Sequence, residues 1–135
     1  MNLKTIATIL NSERDIQLCL MDEEIYSDIV KLAVERRGVI VLVVPMKEYI
    51  KKIKDKLLYY LGFAVTCCQT IKDSVYISLK NGTTISIMFY YERFDMQVLG
   101  YTVDTAILWD IEMLTIKCWE TIYPRLNGSA HFIIF

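Results

Sequence analysis

The sequence has a single histidine, His131, and none of its four cysteines forms a Cys-x-x-Cys pair. A zinc site needs several closely spaced Cys or His ligands, so none is expected. Cys19 and Cys118 stand among apolar residues and read as small core side chains, whereas Cys67 and Cys68 are adjacent. Charge of one sign is also missing. Fifteen basic residues nearly balance sixteen acidic ones, leaving a net charge of −1. A protein that grips nucleic acid regardless of sequence usually carries a marked basic excess. The longest uncharged apolar run, residues 38–46, is far too short to cross a bilayer. The opening "MNLKTIATILNSERD" lacks a small-residue cleavage site and reads as native structure, not a signal peptide. Prolines number two and glycines five, with no glycine before Gly38, and there is no repeat or low-complexity tract.

What remains is a folded globule. The chain has 135 residues, 54% hydrophobic and 23% charged, which fits one domain, 1–135, with a real core. Reduced thiols and the absence of a spanning segment make a cytoplasmic location the expectation, in the host cell if the protein is viral.

Residues 16–21 read as a short buried strand. A helix over 22–36 follows, with Ile25, Ile29 and Leu32 at helical spacing and acids in its first turn. Residues 39–44, "VIVLVV", are continuously apolar and β-branched, as in a central strand covered on both faces. Pro45 ends that strand. Ile50, Ile53, Leu57 and Leu61 then form one helical stripe, stopped by Gly62. Residues 63–68 read as a further short strand.

Two strands flank "KNG". A three-residue loop with Gly82 in the left-handed region sets Leu79 against Thr83, Ile77 against Ile85 and Val75 against Ile87; a two-residue Asn-Gly turn would set Ile77 against Ser86. The bulged hairpin matches apolar with apolar and is the expected form. Residues 90–102 connect it to a strand within "GYTVDTAILWDIEM". A short helix over 117–123 stops at Pro124, Asn127-Gly128 reads as a turn, and residues 131–135 as the last strand. The alternation predicts an α/β three-layer sandwich, with a mainly parallel central sheet, helices on its faces and an antiparallel hairpin at one edge.

Four stretches in this order resemble motifs of known motors. "VIVLVVP" with its helix is similar to the second strand of helicase and terminase ATPases, written "vlilap". "LKNGTTISIM" resembles their hairpin, and "VLGYTVDTAILWDIEML" the segment that carries the Walker B acid. "WETIYPRLNGSAHFIIF" resembles the approach to their coupling strand. The phage large terminase, the motor that packages DNA, carries all four in this order, and the likeness spans residues 16–135. It implies a P-loop NTPase-like fold of phage or viral kinship.

The departures from that pattern carry the functional expectation. Where the family has its glycine-rich phosphate loop, this chain has "MDEEIYSD". Asp22, Glu23 and Glu24 would occupy the anion-favouring helix N-terminus themselves, each opposing a bound phosphate by about 1 kcal/mol. Walker-type ATP binding is therefore expected to be lost, and no cofactor is expected. Asp110 matches the Walker B aspartate, but Ile111 stands where the catalytic glutamate belongs and Glu112 is one place further on.

Three readings follow. The first is a pseudo-ATPase that acts by protein–protein interaction, as an accessory or regulator of packaging or replication, with a protein partner or a second copy favoured. Its candidate contact residues are Tyr90, Tyr91, Arg93 and Phe94 in "FYYERF", since aromatics and arginine dominate such contacts. The second is a metal-dependent phosphoesterase or nuclease, with Asp110 and Glu112 as catalytic candidates and Asp104 and Asp110 as metal candidates. The third is a nucleic-acid-binding module that uses Lys47, Lys51, Lys52 and Lys54 with residues 90–94, although the lysine segment reads first as a solvated helix face.

Overall fold

The computed structural model describes residues 1–12, 15–90 and 102–135. Seven strands form one sheet: β1 (Ile16–Leu20), β2 (Val39–Val44), β3 (Val65–Ile71), β4 (Ser74–Leu79), β5 (Thr84–Phe89), β6 (Val103–Leu108) and β7 (Leu126–Ile134). Their spatial order is β1-β7-β6-β2-β5-β4-β3. The first five in that order run parallel, while β4 pairs antiparallel with both β5 and β3. The α/β sandwich read from the sequence is therefore the fold, with its antiparallel portion at one edge.

Two apolar layers cover the sheet. On one face α2 (Ile25–Glu35) and α3 (Glu48–Leu61) bury Ile25, Ile29, Ile53 and Leu57 against Ile40, Leu42 and Val44. On the other, α1 (Leu3–Ser12) and α4 (Ile116–Ile122) bury Ile6, Ile9, Cys118 and Ile122 against Val41 and Val43. Alternate residues of β2 feed opposite layers, which is why every one of its positions had to be apolar. The N-terminal stretch is helix, started by Asn2, whose side-chain oxygen accepts the Thr5 N–H at 2.8 Å.

The β4–β5 loop takes the bulged form. Val75 faces Ile87, Ile77 faces Ile85, and the Leu79 N–H donates to the Thr83 carbonyl at 2.9 Å. Gly82 sits at φ +91°, as such a loop requires. The same loop closes the C-terminal end of α2. Asn81 donates its amide to the Ala33 carbonyl at 2.9 Å, and the fully buried Thr83 hydroxyl lies 3.0 Å from both the Ala33 and Arg36 carbonyl oxygens. Thr83→Val keeps the shape and orphans a helix-end carbonyl, so it is expected to cost about 1–2 kcal/mol in urea unfolding.

Some boundaries differ from expectation. Helix α2 begins at Ile25, because residues 22–24 form the turn before it. Asn127-Gly128 is no turn: both lie inside β7, where the register against β6 slips between Val103 and Thr105. The pair forms a bulge in a parallel ladder, since β7 has already started at Leu126 and Gly128 lets it pass close to Asp104. Cys118 is core, as expected, whereas Cys19 is only half-buried. Among the described residues no helix is long and apolar enough to cross a membrane.

Candidate functional site

The C-terminal ends of the parallel strands are where an open α/β sheet binds ligands. Here β6 ends at Leu108, and the Trp109 N–H still donates to the Val43 carbonyl at 2.8 Å. Asp110 then turns the chain at φ 54°, ψ 60° into a 3-10 turn, Ile111–Met113. An aspartate tolerates this left-handed conformation better than most residues. The turn also removes the strand alternation that would have set Glu112 on the face of Asp110. Glu112 points to solvent, whereas Asp110 is 9% exposed.

The Asp110 carboxylate is already engaged. Tyr49, in the first turn of α3, donates its phenol O–H to Asp110 Oδ2 at 2.7 Å. The hydrogen bond, then burial and the carboxylate's charge, push the phenol up to about 12. Its raised folded value favours the neutral phenol. The contribution to stability is therefore complete below the ordinary value near 10 and lost as pH rises through about 12. Tyr49→Phe is expected to cost about 1 kcal/mol at neutral pH, because the ring is half-buried and the bond is partly screened. The difference between the two proteins should vanish across that alkaline window in a pH series of thermal melts.

Aromatic rings fill the space beside this pair. Tyr49 meets Phe135 edge-on at 5.8 Å, Phe135 meets Trp109 at 5.9 Å, and Trp109 meets Tyr26 at 5.7 Å. Tyr26 and Trp109 are 2% and 1% exposed, so these two rings belong to the core beneath Asp110, whereas Phe135 is at the surface. The Trp109 indole N–H is buried with no hydrogen-bond partner among the described residues.

At the junction after β1, where Asp22, Glu23 and Glu24 are exposed, main-chain N–H groups are held by the protein's own acceptors. The Met21 N–H extends the ladder to the Ile134 carbonyl at 2.6 Å, and Asp22 Oδ1 accepts the Glu24 N–H at 2.9 Å. An N–H that a bound anion would seek is thus held by the protein's own carboxylate. With β7 between β1 and β6, the ends of those two strands lie about 10 Å apart.

The other candidate residues scatter. Asp104 stands near the start of β6, six residues before Asp110 and about 20 Å away along the strand. There its Oδ2 accepts the Val39 N–H at 2.7 Å, a structural bond. Asp104, Asp110 and Glu112 are not brought together, and no group of three or more potential metal ligands occurs among the described residues. Tyr90 is half-buried against the second apolar layer, its N–H donating to the Val44 carbonyl at 2.9 Å. Tyr91, Arg93 and Phe94 lie outside the described residues.

Lys47, just before α3, and Lys51 and Lys54 on it line a depression of about 230 Å³, into which the β3–β4 turn adds Lys72 and Asp73. Lys47 pairs with Asp73 at 3.2 Å and lies 5.2 Å from the centre of the Phe89 ring. Lys52 faces away from it, beside Tyr59 and Tyr60. Lys72 could not be assigned from sequence because only tertiary folding brings its turn to α3.

A second hollow, about 240 Å³, lies between α2 and the β1 end of the sheet, lined by Cys19, Asp28, Ile29, His131 and Ile133 among others. Burial, then Asp28 and Asp22, raises the Cys19 thiol, while burial, then Arg36, lowers His131. A thiol held protonated is a poor nucleophile. The His131 ring lies 3.4 Å from Ser129, not on the cysteine.

No family model matches the sequence, and no curated protein matches it. Solved structures do match. The large terminase of a thermophilic bacteriophage aligns with a TM-score of 0.64 over 98% of this chain and 37% of that chain, at 10% identity. In its complex with ADP the TM-score is 0.62 over 93% of this chain and 34% of that chain, at 11% identity. The ATPase domain of the Thermus phage P74-26 large terminase aligns with a TM-score of 0.58 over 94% of this chain and 62% of that chain, at 18% identity. The chain thus spans about a third of the length of the first terminase and less than two thirds of the P74-26 domain. The shared property is the fold.

Proposed function

We propose that this chain is a non-catalytic, terminase-like module of phage or viral kinship that works by binding a protein partner in packaging or replication. The observation that carries this reading is the β1–α2 junction, where residues 22–24 are all acidic and Asp22 takes up the N–H of Glu24. A nucleotide phosphate brought there would face three carboxylates, each opposing it by about 1 kcal/mol, one of which already holds the Glu24 N–H. The Tyr49–Asp110 bond supports it further, because a metal-holding carboxylate would have to give up that phenol. The phosphoesterase reading is weaker, since Asp104 is remote from the other two acids.

Titration calorimetry with Mg-ATP up to millimolar concentration tests the reading. No saturable heat and no phosphate release are expected; clear binding or turnover would overturn it.

A second reading is favoured by one observation, the convergence of Lys47, Lys51, Lys54 and Lys72 around a single depression. Four lysines around one depression, Lys47 among them paired with Asp73, leave a local basic excess that suits a phosphate backbone. Fluorescence anisotropy with a labelled oligonucleotide should then show binding that weakens steeply with salt and falls in Lys51→Glu/Lys54→Glu. Absent or salt-insensitive binding would count against it.

A further inference from the structure

Strand β1 stands at one end of the strand order. Among the described residues its one strand neighbour is β7. The Met21 N–H donates to Ile134 and the Asp15 carbonyl accepts from Ala130, so odd-numbered residues turn their main-chain groups toward β7. By alternation, Ile16, Leu18 and Leu20 turn theirs outward from the sheet. Edge strands in monomeric proteins are commonly blunted by charge, proline or a bulge. The sequence of β1, "IQLCL", has no charge and no proline, and its ladder with β7 has no register shift.

Two apolar side chains accompany these groups. Leu18 is 46% exposed and Leu20 71% exposed. Both lie on the face opposite α2, because Ile16 joins the α1–α4 layer while Cys19 joins the α2–α3 layer. An apolar strip beside main-chain groups that no described residue pairs is built for strand addition.

We infer that the occupant is a second copy of this chain, paired antiparallel through β1 across a two-fold axis at Leu18. The strand is self-complementary about that residue. Leu18 meets Leu18 of the second copy, Ile16 meets Leu20, and Gln17 meets Cys19. The outward main-chain groups of residues 16, 18 and 20 then exchange about six N–H···O bonds, and the two sheets become one. Apolar residues oppose apolar residues at all three hydrogen-bonded positions, without any side chain moving to the other face. The opposite edge offers no such match. Strand β3 carries a register shift between Val65 and Cys67, which interrupts its edge, and polar Thr66, Gln69 and Thr70.

This inference rests on the protein-binding reading and names the partner. Sedimentation velocity over a concentration series of the full chain tests it. Wild type is expected to shift toward the mass of two chains as concentration rises. Leu18→Lys and Leu18→Glu each place like charges face to face on the axis and should weaken self-association at least tenfold. An equimolar mixture of the two should restore it, because lysine then faces glutamate. Thr70→Lys on β3 should leave it unchanged. Should Leu18→Lys fail to fold by circular dichroism, Leu20→Ser carries the same test, with a several-fold weakening expected.

A wild type that stays monomeric throughout, or a dimer indifferent to both leucine positions, would overturn the inference. A monomer that also ignores Mg-ATP removes the homodimer alone. ATP turnover removes the protein-binding reading and leaves the sedimentation result standing.

Discussion

Gly128→Ala is expected to lower the unfolding free energy by about 3 kcal/mol, read as an early midpoint in urea. A Cβ at Gly128 would lie 2.1 Å from the Asp104 carbonyl oxygen and 3.2 Å from its carbon. Those are backbone atoms of the paired strand, so no rotamer change makes room. The bulge that joins β6 to β7 has to open instead, and the ladder weakens where it begins. Gly82 supplies the control. It has a φ of +91° but open space where a Cβ would sit, so Gly82→Ala should cost only about 1 kcal/mol of backbone strain. The expected order inverts what dihedral angles alone would give. A Gly128→Ala midpoint no lower than that of Gly82→Ala would sink this account of the bulge.

Trp109→Ala is expected to cost about 4 kcal/mol, the usual loss for truncating a buried aromatic residue. Trp109 is 1% exposed and touches the rings of both Tyr26 and Phe135. Its removal opens the apolar layer beneath the end of β6. It also loosens the residue before Asp110, whose backbone turn depends on the strand ending where it does. Trp109→Phe should be far milder, at about 1 kcal/mol, because it keeps a ring and deletes an indole N–H that has no partner among the described residues. Similar losses in the two variants, measured by urea unfolding followed with far-UV dichroism, would mean the ring contacts matter little.

Both predictions concern the stretch "GYTVDTAILWDIEM" and its neighbours. Asp110 occupies the end of a parallel strand, as the likeness implies, yet its carboxylate is engaged by a tyrosine on α3. Tyr49 was not readable as its partner. Sequence places the two 61 residues apart, and only the pairing of β2 with β6 brings α3's first turn over the end of β6.

Local sequence dictated the elements and the class of fold. The unbroken apolar run of β2 demanded a strand covered on both faces, the stripe Ile50-Ile53-Leu57-Leu61 a helix packed on one face, and the apolar matches around "KNG" a bulged hairpin in the register found. Those signals are periodic and short-range, so they survive without knowledge of partners. Sequence also put acids at residues 22–24, where a phosphate loop would need glycines. The rest came from long-range packing. It set Tyr49 on Asp110, turned Asn127-Gly128 from an apparent turn into a bulge, carried Lys72 to the lysines of α3, and left β1 with β7 as its one strand neighbour among the described residues. Each of these depends on which strands become neighbours, and strand order is set by the packing of both apolar layers together, a non-local condition that no short window of sequence contains.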